Sequence, residues 1–485
     1  MRLTELIEDV DVTRIWGDPD IDVTDVCFDS RKVKAGSLFI AVKGTNVDGH
    51  NFIEKSIHDG AKAVICNDMP DKPAIGVTYI VVKDSSIALG EVASAFYGRP
   101  SDHLILVGVT GTNGKTTIAT LLYKLFKFRG YKTGLLSTVC NFVDDEEYPS
   151  THTTPDPLEL NELLAKMVKK GCSRVFMEVS SHSIDQNRIA GLRFDGGIFT
   201  NLTRDHLDYH KTMEAYLAAK KKFFDNLPPS AFALTNLDDR NGKVMLQNTK
   251  ANKYTYSTTT LADFKCKIEE LSFDGMDLKI NNIEASLSFV GKFNAANLTA
   301  VFGAACLMQV KPQEIMLALS ALSPVNGRFQ RITSPDGKMA IIDYAHTPDA
   351  LENVISTINE IRIGNKRYGK LITVVGCGGD RDKGKRPQMA KIAVTGSDTV
   401  ILTSDNPRTE DPMEILNDML AGVTEKEQSK VLVIENRSSA IKTARTLASV
   451  NDILLIAGKG HETYQEIRGV KHHFDDKEVL RECFE

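Results

Sequence analysis

The chain has 485 residues, 42% of them hydrophobic and 25% charged, with a formal net charge of −5. That is too long for one hydrophobic core, and about 150 residues per domain points to three domains. A slightly acidic chain has no global attraction for nucleic acid or anionic membrane, so any anionic substrate must be drawn by local groups.

The first residues, MRLTELIEDVDV, are acidic and lack the apolar core of a secretory signal, and no run of 18 apolar residues occurs. Eight scattered cysteines without a C-x-x-C pair suit a reducing compartment. A cytoplasmic protein is expected, without membrane insertion. Residues 1–99 carry short β-rich runs at 37–44, 61–67 and 77–84, and 96–103 reads as a linker. From residue 104 the pattern becomes strand, loop, helix: LILVGVT runs into GTNGKTT, and Ile118, Leu121, Leu122 and Leu125 follow at helical spacing. Two more buried strands are expected in 172–182 and 196–203. A glycine-rich break at 323–332 precedes five further apolar runs alternating with helical segments. The predicted fold is α/β in three domains. Residues 1–99 form a small mixed α/β domain, 100–330 a central P-loop parallel-sheet ATPase domain, and 331–485 a Rossmann-like α/β domain.

The stretch GTNGKTT departs from G-x-x-x-x-G-K-[ST], because Val109 stands where the first glycine belongs and the glycines fall at 108, 111 and 114. A glycine turn between a buried strand and a helix still aims backbone N–H groups and the helix dipole at an anion. Lys115 supplies a point charge for terminal phosphates, and Thr116 an oxygen for Mg²⁺. Gly111, Thr112, Asn113, Gly114 and Thr117 complete this ATP-type loop.

With its first glycine displaced, the loop resembles that of the Mur ligase family, which includes the folylpolyglutamate synthetases. In family order the chain then shows MEVSSH, TNLTRDHLDYH, AAKKKFF, GKFNAANLTA, NGRFQ, DYAHTPDAL, GCGGDRDKGKRP, DNPRTEDP and AGKGHETYQ, covering residues 28 to 465. The resemblance implies that ATP activates a carboxylate as an acyl phosphate, which an amino acid then captures. Lys115, Glu178, His206 and Lys220 would be catalytic, and Thr116, Glu178, His206 and Lys220 would hold Mg²⁺, with Lys220 as a carbamate (N6-carboxylysine). Lys221 and Lys222 are the neighbouring alternatives. Asn294, Arg328, Asp343 and His346 would join the phosphate loop at ATP. The acceptor would be a UDP-muramoyl-dipeptide, met by Phe28, Ser30, Thr45, Asn46, Val47, His152, Thr153, Thr154, Ser180, Gln186 and Arg188. At residue 152 the family often has Asn.

The added amino acid would be meso-diaminopimelate or L-lysine, which differ by a distal carboxylate. A planar fork of donors recognises such a group, and Arg408 in DNPR provides one. The family associates DNPR with diaminopimelate, implicating Asp405, Asn406, Pro407 and Arg408, with Arg381, Gly458 and Glu462 for the nearer groups. The expected protein is a monomer acting on small molecules, with no nucleic acid. The rival readings are L-lysine addition, a folylpolyglutamate synthetase, and a nucleotide-gated binding protein without ligation.

Overall fold

The computed structural model describes residues 1–44, 47–150, 152–364 and 368–484. Three principal sheets organise it, each built on parallel strands with helical cover.

In the N-terminal sheet, Thr78–Val82, Ala63–Cys66, Ser37–Ile40 and Asp25–Cys27 lie parallel in that order, and Val12–Trp16 adds an antiparallel edge. The next sheet has 11 strands. In its parallel heart Ile105–Thr110 lies between Gly196–Phe199 and Arg174–Glu178, with Phe232–Asn236 and Thr133–Leu136 outside them. Val107 and Val109 face one core and Leu106 the opposite one, as expected of a strand buried on both faces. Gly108 has no room for a side chain, since a Cβ would meet the Phe223 ring at 2.7 Å. The displaced glycine therefore serves sheet–helix packing.

Local signals end the elements sharply. Helix Pro157–Lys170 starts on Asp156, whose side chain accepts from the Leu158 and Glu159 amides, and has Pro at its first position. It stops at Gly171 with φ 83°, after Lys169 and Lys170 in its last turn. Its buried stripe of Leu160, Leu163, Leu164 and Met167 docks on the central sheet.

The C-terminal sheet runs Gln330–Thr333, Met339–Asp343, Ile453–Ala457, Leu371–Val375, Thr399–Leu402, Val431–Val433, parallel except at the first pair. Four of these strands end at Asp343, Val375, Leu402 and Ala457, so the segments carrying DYAH, GCGGDRD, DNPR and GKGHE share one edge.

Two features differ from the sequence reading. The central sheet is not purely parallel: Phe264–Leu271, Met276–Ile280 and Ile283–Leu287 form an antiparallel wing, as do Asn141–Val143 and Glu146–Tyr148 at the other edge. Phe264–Leu271 and Ile283–Leu287 interleave exposed polar residues and Glu146–Tyr148 is only three residues long, so they lack the continuous apolar runs that mark a buried strand. The expected linker at 96–103 contains the end of helix Ser85–Phe96 and a 3₁₀ turn, Pro100–His103. No described helix is long and apolar enough to cross a membrane.

Candidate active site

The loop after Ile105–Thr110 is held open by two glycines. Gly111 has φ 152°, and a Cβ there would lie 1.8 Å from Thr200 Oγ1; Gly114 has φ 90°, and its Cβ would meet Asn297 Oδ1 at 2.5 Å. The Asn113 amide donates to Asn201 Oδ1 at 2.9 Å, and Thr112 Oγ1 donates to the Thr203 carbonyl at 3.2 Å. Lys115 lies over the turn, donating to the Gly111 and Thr112 carbonyls at 2.9 Å each.

Two cavities meet on this loop. One, of about 340 Å³, is lined by Asn113, Gly114, Thr117, Phe293, Asn297, Asp343 and Asp349 among others. The second, about 130 Å³, is lined by Lys115, Thr116, Thr153, Glu178, Ser180, Asp205, His206, Lys220 and His346. Arg328 lines both. Its Nη2 donates to Thr116 Oγ1 at 3.2 Å, its guanidinium carbon is 4.5 Å from the Tyr344 ring centre, and its buried Nε has no partner. An orphaned guanidinium N–H beside a glycine loop fits a phosphate group. Asp343 accepts from the Phe329 amide at 2.6 Å, and burial lifts its carboxyl to about 6. His346 donates from Nδ1 to the Tyr344 carbonyl at 2.8 Å, leaving Nε2 as an acceptor; burial takes the ring down to about 4.

In the smaller cavity Glu178 is buried and accepts from the Thr138 amide at 2.9 Å. His206, with φ 55°, has Nε2 at 3.4 Å from Asp205 Oδ2. Burial pushes the His206 ring down to about 3, against the pull of Asp205. Lys220 is also buried, donates to the Gly111 carbonyl at 3.0 Å, and sits 4.7 Å from the Tyr216 ring centre. Burial, and then the charge of Lys115, hold its pKa well below that of an ordinary lysine. The amine is thereby biased to the neutral form, which is the nucleophilic one.

Among the described residues no group of three or more His, Cys, Asp or Glu stands ready to hold a metal. What the smaller cavity gathers is the carboxylates of Glu178 and Asp205, the imidazoles of His206 and His346 and the Thr116 hydroxyl, beside a phosphate-type loop. That set suits Mg²⁺, which keeps several waters and takes few protein ligands alongside phosphates.

The residues expected at the amine gather at the C-terminal sheet edge. Asn406 Nδ2 donates to Glu462 Oε2 at 2.9 Å, while buried Lys459 donates to Asn406 Oδ1 and Glu462 Oε2 at 3.1 Å each. Gly458, φ 114°, admits Asp405, whose Oδ2 would be 2.8 Å from a Cβ. Burial works to raise the Asp405 carboxyl, but Lys459 and Arg437 outweigh it and its pKa is lowered. Arg408 Nη1 donates to the Gly379 carbonyl at 2.7 Å, and its Nε is 3.5 Å from Glu466 Oε2. A Cβ on Gly378 would touch Arg408 Nη1 at 2.9 Å and Arg381 Cγ at 3.9 Å, so both guanidinium-bearing residues flank that glycine. Pro407 supplies backbone only, its carbonyl packing on Gly379.

Comparison with known proteins matches three stretches. Residues 22–97 match "Mur ligase family, catalytic domain", 109–305 "Mur ligase middle domain", and 327–460 "Mur ligase, glutamate ligase domain". The chain belongs to the Mur ligase family. A Bacteroides thetaiotaomicron relative, named UDP-N-acetylmuramoyl-L-alanyl-D-glutamate–2,6-diaminopimelate ligase, is 60% identical over 484 residues, covering 100% of both chains. A solved structure of a ligase with that same name is 33% identical, with TM-score 0.69 over 100% of this chain and 98% of that one. The Thermotoga maritima MurF ligase in complex with ADP shares the fold at 19% identity, TM-score 0.62, covering 95% of this chain and 97% of that chain.

Of the residues expected at the acceptor in this Mur ligase, Thr154 Oγ1 donates to the Glu178 carbonyl at 2.9 Å, and Arg188 Nη1 to the Thr154 carbonyl at 3.0 Å. Arg188 Nε also reaches Gln186 Oε1 at 3.0 Å, and Ser180 caps the short helix Ser181–Asp185 through the Ser183 amide. Thr153 and Ser180 line the smaller cavity, so this patch adjoins the phosphate loop. His152 is exposed beside it, its carbonyl accepting from Ser150 Oγ at 3.0 Å. Phe28, Ser30 and Val47 lie apart on the N-terminal domain, Ser30 buried and Val47 57% exposed. Thr45 and Asn46 lie outside the described residues.

Asn294, expected at the nucleotide, has its Nδ2 donating to the Val290 carbonyl at 2.9 Å, and Asn297, three residues on, lines the larger cavity. One helical turn carries it to the same face, so the i+3 spacing in FNAAN was the available signal. Sequence reasoning also missed Asp205, Asp349 and Lys459, each one to three residues from a chosen position.

Proposed function

We propose that this chain is an ATP-dependent ligase adding meso-2,6-diaminopimelate to UDP-N-acetylmuramoyl-L-alanyl-D-glutamate, with release of ADP and phosphate. The observation that carries the reading is the pair of cavities sharing one glycine loop, with the unpartnered Arg328 Nε between them. The relative 60% identical over the whole chain supports the choice of substrates.

In this reading the larger cavity takes the nucleotide, and Gly111 to Thr117 cradle its phosphates. The acceptor, anchored by Thr153, Thr154, Ser180, Gln186 and Arg188 and by the N-terminal residues, brings its carboxylate to the smaller cavity. That carboxylate attacks the γ-phosphorus and ADP leaves; the amine then attacks the acyl carbon and phosphate leaves. Lys115 and Arg328 offset the charge of two approaching anions. Thr116, Glu178, His206 and a carbamate on Lys220 would hold Mg²⁺, which supplies Lewis-acid neutralisation of phosphate charge. The neutral bias of the Lys220 amine favours that carbamate, because only an unprotonated amine adds to CO₂. Arg408 and Arg381 would take the carboxylates of diaminopimelate, with Asn406, Glu462 and Gly458 around its amino group. Domains at 1–99, 100–330 and 331–485 in a cytoplasmic monomer complete the proposal.

The test is ligation with a panel of amino acids. Wild type is expected to use meso-diaminopimelate far better than L-lysine. Arg408→Ala is expected to raise the KM for diaminopimelate about ten- to a hundredfold, the size of a bidentate charged pair. Equal use of both amines, or unchanged kinetics in the variant, would remove the assignment.

A further inference from the structure

The two halves of the site touch through an exchange of charges that the reaction scheme leaves unused. Arg204 and Asp205, immediately before His206, face the 3₁₀ turn Lys383–Lys385, immediately after Arg381 and Asp382. Arg204 Nε donates to Asp382 Oδ2 at 3.0 Å and its Nη2 to Oδ1 at 3.4 Å. In the opposite sense, Lys385 Nζ lies 3.9 Å from Asp205 Oδ1, with both side chains under a tenth exposed. Arg204 also packs on the turn itself, its Nη2 being 2.4 Å from where a Cβ on Gly384 would stand. Asp382 Oδ1 in turn accepts from the Gly384 amide at 2.9 Å and shapes that turn.

The connection continues to the amine side. Arg386, fully buried, grips Glu410 at 3.0 and 2.8 Å, and Glu410 accepts the Asp380 amide. A continuous ionic rack thus runs from the residues flanking His206, through 380–386, to the turn bearing Arg408. Because each side presents one cation and one anion, sliding the interface by a residue would bring like charges together, so the pairing specifies register.

We infer that Arg204 and Lys385 are positioning residues for amine capture, fixing the amine-selecting loop over the phosphate cavity through Asp382 and Asp205. They act on the second half-reaction and not on carboxylate activation. The inference rests on the ligase reading, and hydroxylamine separates the two. As a small diffusible nucleophile it attacks an acyl phosphate without the amine site, giving a hydroxamate and phosphate.

The experiment uses the full chain with Arg204→Gln, Arg204→Lys, Asp382→Asn, Lys385→Met and the Arg204→Gln/Asp382→Asn double variant. Arg204→Gln and Lys385→Met are expected to lower kcat/KM for diaminopimelate about tenfold, within the range of coupled charged pairs. Their ATP-dependent hydroxamate formation from the dipeptide acceptor stays within about twofold of wild type. Arg204→Lys retains most of the ligation rate, and the double variant is no worse than Arg204→Gln alone. Wild-type ligation in Arg204→Gln, a parallel fall of hydroxamate and ligation, or additive losses in the double variant would each overturn the inference. A wild-type chain forming neither hydroxamate nor ligated product would overturn the ligase reading itself, and this inference with it.

Discussion

Lys220 illustrates what a single residue owes to its surroundings. By sequence it is one of three consecutive lysines on a helix, where solvated charge is the default. The fold buries it beside Lys115 and against the Tyr216 ring, while Lys221 pairs with Asp225 and Lys222 with Asn187. Lys220→Ala is therefore expected to reduce ligation about a hundredfold or more, as loss of a metal ligand does. Steady-state ligation checks this beside a melting curve, and ordinary activity in a folded variant would refute the role. At this scale Glu178 and His206 were singled out by the order of motifs, and the structure brings both to the smaller cavity. Asn297, Asp205 and Lys459 were not, since an amide, a carboxylate and an ammonium in a loop read the same until their partners are known.

The unit proposed to carry the nucleotide chemistry is the strand–turn–helix around 105–128. Its existence followed from an apolar run, glycines and helical spacing. Why its glycines sit where they do took neighbours to explain: Gly108 yields to Phe223, Gly111 to Thr200 and Gly114 to Asn297. Gly111→Ala must displace Thr200, whose hydroxyl donates to the Asn113 carbonyl at 2.6 Å and so helps hold the loop. Nucleotide affinity is expected to fall about tenfold or more, the result of shifting donors that must converge on phosphate. Gly130→Ala, at φ 81° with open space around it, is the control. It is expected to cost about 1 kcal/mol of stability and leave binding intact. Calorimetric titration with a non-hydrolysable ATP analogue distinguishes the two, and equal affinities would reject the steric account. Four of the non-glycine residues with positive φ lie in or next to the loops around the site: His206, Phe329, Asp380 and Arg408, all between 48° and 55°. Non-glycine residues hold such angles at a cost of about 1–3 kcal/mol each, commonly at functional loops.

Across the whole molecule, polar groups buried around the site make stability depend on pH. Burial lowers His182 and His346 to about 4 and His461 to about 3. In the unfolded chain these rings take up protons near pH 6.5, where the folded protein does not. Stability is therefore lost as pH falls from about 6.5 towards the folded values. Asp343, raised to about 6, and Glu91, raised to about 7, work the other way, gaining stability as they protonate, but His206, lowered to about 3, joins the other three rings and the histidines outweigh them. The denaturant midpoint is expected to be lower at pH 5.5 than at 7.5, with His346→Gln reducing the difference; a flat or reversed profile would contradict this.

The sequence by itself determined the parallel α/β architecture, the phosphate loop and the types of residue that flank it. Those follow from local rules: continuous apolar runs, glycine turns, helical spacing, and an ordered set of motifs. Only the tertiary structure decided which of those residues meet. The antiparallel wings, the place of Asn297 in the larger cavity, the shared position of Arg328 between two cavities and the crossed charges at 204–205 and 382–385 all depend on segments distant in the chain. Such contacts arise because burying a polar or charged group is favourable only with a partner at the right distance. That partner is set by packing, which one-dimensional periodicity does not encode.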